Sequence, residues 1–271
     1  MAIITISRGT FSGGKALAEA LSKRLGYPCV SREEVFKTAI KEYEISEEEL
    51  ASVINRPPPF WVQVPSKRIA LLKCVTSVIL DHEKEGNLIY HGHAGHLLLT
   101  DIPHLIRIRL IADMAFRLKA AKELYNMEGD EAIAYIEKTD SDRNKWARFF
   151  YGIELGDPHL YDAVFNLQRN SIDNVCELVV RMTEFDQYKM TEASLKAFYD
   201  FKLASRVWAS LAKDRHTRSA AVYVSADNGI VSITGNVTSE KTVDAVIQLA
   251  RGVKGVMNVK NDIGIGGDLY W

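Results

Sequence analysis

The chain has 271 residues, 47% of them apolar, which is enough for one large domain or two of ordinary size. Its formal net charge of −1 gives no argument for a nucleic acid or an anionic membrane as a partner. Because the three cysteines are far apart, the N-terminus lacks the pattern of a secretory signal and no apolar run is long enough to span a bilayer, we expect a cytoplasmic protein without a membrane span.

The first predicted elements are a strand, a glycine-rich loop and a helix. Residues 2–6 form a short apolar run rich in β-branched side chains, which is typical of a buried strand. Beyond the loop, Leu17, Leu21 and Leu25 recur every four residues and place an apolar stripe on one face of a helix. Gly26, with a proline two residues later, ends that helix.

Strands and helices then alternate along the chain. The apolar and alternating runs predict strands at 87–90, 105–111 and 162–167. The helical periodicities predict helices at 66–86, 113–126, 130–150 and 171–183. Such alternation is typical of an α/β domain in which a parallel sheet carries helices on both faces.

The pattern changes after about residue 190. A long helical pattern runs to about Lys213, and residues 220–237 read as two strands joined by a tight Asp-Asn-Gly turn. An amphipathic helix at 239–253 and a last strand at 256–265 follow. We therefore predict a second, small α+β domain.

The glycine-rich loop fits the spacing G-x-x-x-x-G-K of a phosphate-binding loop, and it lies between a strand and a helix as such a loop requires. The backbone N–H groups that would point at the phosphates belong to Ser12, Gly13, Gly14 and Lys15. The Lys15 ammonium would lie along the β- and γ-phosphates. Ala16 stands where such loops carry the Ser or Thr whose hydroxyl binds Mg²⁺, so ligation by that side chain is impossible. From the residues alone, an ordinary strand-to-helix turn stays open as the alternative.

Four segments, in this order, resemble the cytidylate kinase-like family. They are IITISRGTFSGGKALAEALSKRLGYPCVSREEV, NLIYHGHAGHLLL, IRIRLIADMAFRL and DRNKWARFFYGIELGDPHLYDAVFNL. The resemblance covers roughly residues 1–185 and implies a P-loop nucleoside-monophosphate kinase fold. It further implies transfer of the γ-phosphoryl group of ATP to a nucleoside monophosphate, CMP above all, with ATP and Mg²⁺ as cofactors.

The fourth of these segments matches the basic lid of the family. A phosphoryl group in transfer spreads negative charge over its oxygens, which arginines placed over it can neutralise. Arg143 and Arg148 are the best matches to lid arginines, so they join Lys15 as candidate catalytic residues. Arg117 is a candidate nucleotide contact on the donor side. A solvated helix face, paired with carboxylates such as Asp140, stays open as the alternative.

On the acceptor side, Ser31 and Arg32 fall where the family has an Asp-Arg pair near the monophosphate. Arg32 keeps a guanidinium that could hold a phosphate through two hydrogen bonds, whereas Ser31 lacks the carboxylate. His93 stands where the family has an arginine and is the third candidate contact to the acceptor. Arg56 and Arg68 are further candidates for phosphate contacts, with no spacing to support them.

The sequence HGHAGH brings His91, His93 and His96 together after a predicted strand. Three imidazoles at a strand end could converge on zinc, nickel or copper, although no nearby cysteine completes a structural zinc set. A contact between His93 and an anionic group stays open, as does a purely structural role for all three histidines.

A second resemblance, to the BON domain, rests on the segments VYVSADNGIVSITGNVTS and VKGVMNVKNDI. It implies a small binding module whose partner would be a small ligand or a protein. We therefore expect a kinase-like domain at 1–190, a helical linker at 191–204, a BON-like domain at 205–266 and a tail at 267–271.

Two functions follow from these observations. One is a phosphotransferase that acts on nucleoside monophosphates. The other is a non-catalytic nucleotide sensor, in which nucleotide binding closes the lid and the BON-like module reports to a partner or a small ligand.

Overall fold

A computed structural model of the chain describes residues 2–48, 50 and 66–266. The predicted tail at 267–271 and Arg56 lie outside the described residues, as does the side chain of Arg68. Within the described part of the chain, none of the helices is long and apolar enough to cross a membrane.

The described residues form two compact units. The first unit comprises residues 2–35 and 82–191. The second comprises residues 36–48, 50, 66–81 and 192–266. Residues 66–81 therefore group with the C-terminal part of the chain, although they precede most of the first unit in sequence.

The first unit is built on a five-stranded, fully parallel sheet with the strand order β2-β3-β1-β4-β5. Its strands are β1 (Ile3–Arg8), β2 (Cys29–Ser31), β3 (Leu88–His91), β4 (Leu105–Ile111) and β5 (Ala163–Asn166). The predicted α/β class and the four predicted strands are confirmed. The edge strand β2 was not predicted, because three residues are too few to show a periodic pattern.

Helices connect these strands and continue into the second unit. They are α1 (Gly14–Leu25), α2 (Arg32–Tyr43), α3 (Ser66–Asp81), α4 (Gly95–Leu98), α5 (Met114–Tyr125), α6 (Gly129–Tyr151), α7 (Ile172–Met182), α8 (Glu192–Lys213) and α9 (Glu240–Gly252). Side-chain caps explain several starts: the Asp113 carboxylate accepts the Phe116 N–H at 2.8 Å, and the Ser171 hydroxyl accepts the Asn174 N–H at 3.2 Å.

The core of the first unit lies between the sheet and the helices α1 and α7. Leu17 and Leu21 of the predicted apolar stripe are fully buried there, against Ile4 and Ile6 of the central strand. Burial of such side chains contributes roughly 1.5–3 kcal/mol each, so this packing holds the start of α1 against the end of β1. The loop between these two elements is thereby fixed at the carboxyl edge of the sheet.

The second unit contains a three-stranded sheet in the order β6-β7-β8, in which β6 and β7 are antiparallel and β7 and β8 are parallel. These strands are β6 (Ala221–Asp227), β7 (Ile230–Val237) and β8 (Asn258–Ile265). The predicted hairpin turn is confirmed, since Asn228 and Gly229 both have positive φ angles of 48° and 80°. Val231, Ile233 and Val246 form a buried core with the facing side of α8.

Gly235 of β7 is the glycine on which this hairpin depends. It has a φ of +125°, and a Cβ at this position would lie 2.3 Å from the Ala221 carbonyl oxygen. We expect Gly235→Ala to destabilise the second unit by about 3 kcal/mol or more, because both the φ angle and the clash with backbone oppose a side chain. Hydrogen exchange at the amides of β6 and β7 measures the loss.

Gly252→Ala is the matched control for this prediction. A Cβ on Gly252 meets nothing within 4 Å, so the exchange rates of the hairpin amides should stay close to those of the unchanged protein. Equal protection of the hairpin amides in Gly235→Ala and Gly252→Ala would contradict the close approach of Gly235 to the Ala221 carbonyl oxygen.

Candidate functional site

The glycine-rich loop occupies the carboxyl end of the central strand β1, where open parallel sheets bind their ligands. Residues 9–13 connect β1 to the first turn of α1, so the loop leads into a helix N-terminus. Gly13 has a φ of +76°, and a Cβ there would lie 2.5 Å from Leu167 Cδ1. Only glycine fits this position, which explains why the sequence places one there.

The Ser12 hydroxyl lies within the loop and has no hydrogen-bond partner in the part of the chain that the structure describes. The residue is buried, its Oγ lies 3.0 Å from where a Cβ of Gly9 would be, and no described residue forms a hydrogen bond with that oxygen. A buried hydroxyl without a hydrogen bond costs roughly 1–3 kcal/mol. A ligand bound in the loop would supply the missing hydrogen-bond partner of the Ser12 hydroxyl.

Asp140 of α6 ties the loop to the helices that follow it. Its Oδ1 accepts hydrogen bonds from the Thr10 N–H at 3.0 Å and the Thr10 hydroxyl at 2.7 Å. Arg117 of α5 forms an ion pair with Asp140 and donates to the Thr10 carbonyl at 2.8 Å. Arg143 donates to the Thr10 hydroxyl at 3.1 Å and lies 3.6 Å from the Asp140 carboxylate.

These contacts bring two of the predicted arginines to the loop. The Arg117 and Arg143 side chains are only 14% and 15% exposed, so they do not belong to a solvated helix face. Phe11, which has a φ of 61°, adds apolar contacts by packing its ring against Tyr125 and Tyr135 of the same two helices. The loop and the helices α5 and α6 therefore form one connected structure.

Two other predicted residues point elsewhere. Arg148, at the end of α6, forms an ion pair with Glu154, and its side chain is 64% exposed. The Lys15 side chain is 79% exposed, and its ammonium lies 3.8 Å from the Glu19 carboxylate one helical turn further on. Ala16 is exposed in the first turn of α1 and offers no ligand atom.

Arg8, which ends β1, is a site residue that the sequence reasoning did not single out. Its side chain runs across the start of α1, with Cδ 2.9 Å from where a Cβ of Gly14 would be. Desolvation by the surrounding protein, together with the nearby charge of Arg32, lowers the pKa of the Arg8 guanidinium. The signal was present as the Ser-Arg pair at the end of the first strand, but a pair of residues assigns no role to either.

Arg143 lies in the same cationic environment. Burial and the charges of Arg8 and Arg32 lower the pKa of the Arg143 guanidinium to about 10, against a partial compensation from Asp140. Three guanidinium groups that oppose one another's protonation therefore converge near the loop. Such a cluster favours an anionic ligand.

Ser31 and Arg32 lie at the junction of β2 and α2. The Ser31 hydroxyl and N–H both donate to the Glu34 carboxylate at 2.7 and 2.8 Å, and the Ser31 oxygen accepts the Glu34 N–H at 3.2 Å. This reciprocal pattern is a capping box, so Ser31 has a structural role at the start of the helix. The Arg32 guanidinium lies 3.2 Å from Glu33 and its side chain is 22% exposed.

The glycines of HGHAGH have a packing explanation. The buried ring of Tyr90 lies beneath this segment and donates its hydroxyl to the His93 carbonyl at 3.3 Å. A Cβ at Gly92 would lie 2.4 Å from the Tyr90 hydroxyl, and one at Gly95 would lie 2.4 Å from Tyr90 Cδ1. Glycine at both positions lets the backbone pass close over the aromatic ring.

The three histidines of this segment are buried, and two of them pack against different aromatic rings. The His93 ring packs edge-on against Trp146 at 4.7 Å, and the His96 ring packs against Tyr161 at 4.8 Å. Among the described residues, no group of three His, Cys, Asp or Glu side chains is placed to hold a metal ion.

Burial also sets the charge state of these histidines. It lowers the pKa of His91, lowers that of His93 well below 6.5, and lowers that of His96 to about 3, with help from nearby arginines. His91 Nδ1, His93 Nε2 and both ring nitrogens of His96 are buried without a hydrogen bond to the described residues. Neutral imidazoles with free nitrogens can both donate and accept hydrogen bonds.

A second polar group lies on β4. Arg109 donates to the Tyr161 hydroxyl at 3.0 Å and to the Ser7 hydroxyl at 3.4 Å, while Arg107 forms a 2.8 Å ion pair with Asp162. The predicted alternation of β4 is confirmed, with the two arginines on one face. Ser7 is the last residue but one of β1, so the contact with Ser7 places Arg109 close to the start of the glycine-rich loop.

Comparison with known proteins gives two family matches. Residues 3–169 match the model of the cytidylate kinase-like family, and residues 199–267 match the model of the BON domain. The first match spans more than half of the chain and contains the loop, the arginine cluster and the histidine segment. The second contains the three-stranded sheet of the second unit.

Individual relatives agree with the first match. A cytidylate kinase of Methanothermobacter thermautotrophicus is 27% identical over 168 residues, which cover 62% of this chain and 96% of that protein. A cytidylate kinase of Sulfurisphaera tokodaii is 25% identical, over 68% of this chain and 96% of that protein. An uncharacterised protein of Eubacterium ventriosum has a similar fold, with a TM-score of 0.53, 18% identity, and coverage of 68% of this chain and 99% of that one.

The buried histidines make the stability of the first unit depend on pH. Because the pKa of His96 falls from its ordinary value of 6.5 to about 3 on folding, the unfolded chain binds a proton below pH 6.5 that the native protein does not. The stability that neutral His96 contributes is therefore complete above about pH 6.5 and is lost as pH falls. We expect His96→Phe to remove about 1 kcal/mol per pH unit from the pH dependence between about pH 6 and pH 5.

Hydrogen exchange at the β1 and β4 amides, measured across this range, tests the prediction. The free energy of opening should fall more steeply on acidification in the unchanged protein than in His96→Phe. Parallel curves for the two proteins would contradict a neutral, buried His96.

Proposed function

The chain belongs to the cytidylate kinase-like family, and we propose that it transfers the γ-phosphoryl group of ATP to a nucleoside monophosphate, with CMP as the acceptor. The observation that carries this proposal is the cluster of Arg8, Arg32 and Arg143 around a glycine-rich loop at the carboxyl end of β1. The reaction needs positive charge placed where the transferred phosphoryl group carries negative charge.

The loop is the proposed site of the donor phosphates. The N–H groups of residues 12–15 stand at the start of α1, where a helix favours anions, and the unpartnered Ser12 hydroxyl adds one more donor. Arg117, held by Asp140 and the Thr10 carbonyl, is the proposed further contact on the donor side. Gly13 and Gly14 allow the phosphates to approach the backbone closely.

Magnesium would bind together with ATP, and it supplies charge neutralisation for the phosphates when bound. Ala16 offers no hydroxyl, and the Asp140 carboxylate already accepts hydrogen bonds from Thr10 and Arg117 and lies 3.6 Å from the Arg143 guanidinium. The described residues around the loop therefore favour Mg²⁺ held by phosphate oxygens and water, which this ion retains readily.

Arg143 is the proposed lid residue that stabilises the group in transfer. It lies on α6 and donates to the Thr10 hydroxyl of the loop, so its guanidinium is close to the proposed site of the donor phosphates. Arg148 pairs with Glu154 in this conformation and would act only after that exposed pair opens. An exposed ion pair of this kind contributes about 0–1 kcal/mol, so little opposes its opening.

On the acceptor side, Arg32 is the proposed contact to the monophosphate. His93 lies near both Arg32 and Arg143, is fully buried and is neutral, so it would bind by hydrogen bonds through its free Nε2. The Ser31 hydroxyl already caps α2, so Ser31 would help to bind the acceptor by fixing the start of the helix that carries Arg32.

Two observations favour a second candidate, a nucleotide sensor. The Lys15 ammonium lies beside Glu19 in this conformation and Ala16 lacks the hydroxyl, so one group that supports catalysis in phosphate loops is absent and another is turned towards a neighbouring carboxylate. In that case, nucleotide binding would change the contacts that Thr10 makes with Asp140 and Arg143 of α6. The BON domain would bind a small ligand or a partner protein.

Direct detection of products decides between the two. We expect ATP with CMP to give ADP and CDP faster than ATP with AMP, GMP or UMP gives the corresponding products. We expect Arg143→Gln to lower kcat by about 100-fold or more, because lid arginines stabilise the negative charge of the transition state. Chromatographic separation of the nucleotides measures all reactions.

Glu137→Gln, an exposed position on the same helix, is the control and should keep the rate of the unchanged protein. Binding of ATP without product from any monophosphate would favour the sensor. Equal rates for Arg143→Gln and Glu137→Gln would remove Arg143 from the reaction.

A further inference from the structure

Arg8 occupies an electrostatically unfavourable place. Its Nε lies 3.1 Å from where a Cβ of Gly14, the first residue of α1, would be. A helix N-terminus carries a partial positive charge, which repels a cation. Of the residues described, none forms an ion pair with Arg8: Glu33 pairs with Arg32 and attracts Arg8 only from beyond ion-pair distance, and Asp140 pairs with Arg117 and Arg143.

The neighbours of Arg8 increase this cost. Arg32 and Arg143 both oppose its charge, as the lowered pKa of Arg143 shows. A folded protein tolerates charges removed from water only when they are paired or when a ligand completes them. An anion between Arg8 and the N–H groups of the loop would relieve both the repulsion among the guanidinium groups and the repulsion from the helix.

Ser12 gives a second, independent indication of a ligand at this place. Its buried hydroxyl points into the same loop and has no hydrogen-bond partner among the described residues. The charge of Arg8, the N–H groups of α1 and the Ser12 hydroxyl are all donors that a chain of phosphate oxygens accepts. None of these three described groups is a carboxylate, which a phosphate would repel.

Lys15, by contrast, lies on the exposed flank of α1 with its ammonium beside Glu19. We propose that Arg8, and not Lys15, is the principal cationic contact to the phosphates of the donor nucleotide. This inference rests on the proposed function, because it assumes that the loop binds a nucleoside triphosphate. The planar guanidinium can donate two parallel hydrogen bonds to phosphate oxygens, whereas an ammonium acts as a point charge.

Calorimetric titration of the full chain with MgATP, and separately with CMP, tests the proposal on four variants. We expect Arg8→Gln to weaken MgATP binding by about 10-fold or more, Arg8→Lys to weaken it less, and Lys15→Gln to weaken it by no more than about threefold. Arg24→Gln, the same change in the last turn of α1, should leave the affinity unchanged.

Thermal unfolding without ligand separates a binding role from a structural one. Because Arg8 lies among like charges and forms no ion pair with the described residues, Arg8→Gln should raise the unfolding temperature by about 2 °C or more while it lowers the affinity for MgATP. A lower unfolding temperature, or failure of Arg8→Gln to fold, would mean that Arg8 stabilises the fold and would overturn the proposal.

The titrations also separate this proposal from the one on which it rests. If the unchanged protein does not bind MgATP, the proposed function is wrong and the assignment of Arg8 falls with it. If the unchanged protein binds MgATP but Arg8→Gln binds it equally well, weakens only CMP, or loses less than Lys15→Gln, then only the assignment of Arg8 is overturned.

Discussion

An excess of positive charge around one glycine-rich loop is the constraint on which the rest of this site depends. Arg8, Arg32 and Arg143 converge there, and only Arg32 and Arg143 have a carboxylate beside them in the described structure. The start of α1 adds the partial charge of a helix N-terminus. Such an arrangement stores free energy in the unliganded protein, and binding of phosphates recovers it. The positions of Asp140 and Glu33 limit this cost without cancelling it.

The parallel sheet is what brings these groups together. β1 lies in the middle of the sheet, with β3 on one side and β4 on the other, and the register pairs Ile6 with both His91 and Ile108. The carboxyl ends of the strands therefore align, and the residues that follow them meet at one edge. This is why residues as far apart in sequence as Arg8 and His93 contribute to one environment. The buried packing of α1 on β1 fixes the loop between them.

The sequence predicted the parts of this structure that depend on periodicity. The leucine stripe of α1, the alternation of β4 and the hairpin turn at Asn228 were all predicted, because buried faces repeat at the period of a helix or a strand. The direction of long charged side chains has no such signal. The spacing of the loop does not predict that the Lys15 ammonium lies 3.8 Å from the Glu19 carboxylate, and Arg8 went unassigned because only the fold shows that it crosses the start of α1. The candidate site residues therefore remain a proposal.

A crystal structure of the full chain with ADP bound tests the central claim most directly. The account predicts that the phosphates contact the N–H groups at the start of α1 and the Ser12 hydroxyl, with the Arg8 guanidinium within hydrogen-bond distance of a phosphate oxygen. Binding of ADP at another place in the chain would contradict it. So would phosphates in the loop that are held by Lys15 while Arg8 lies out of reach.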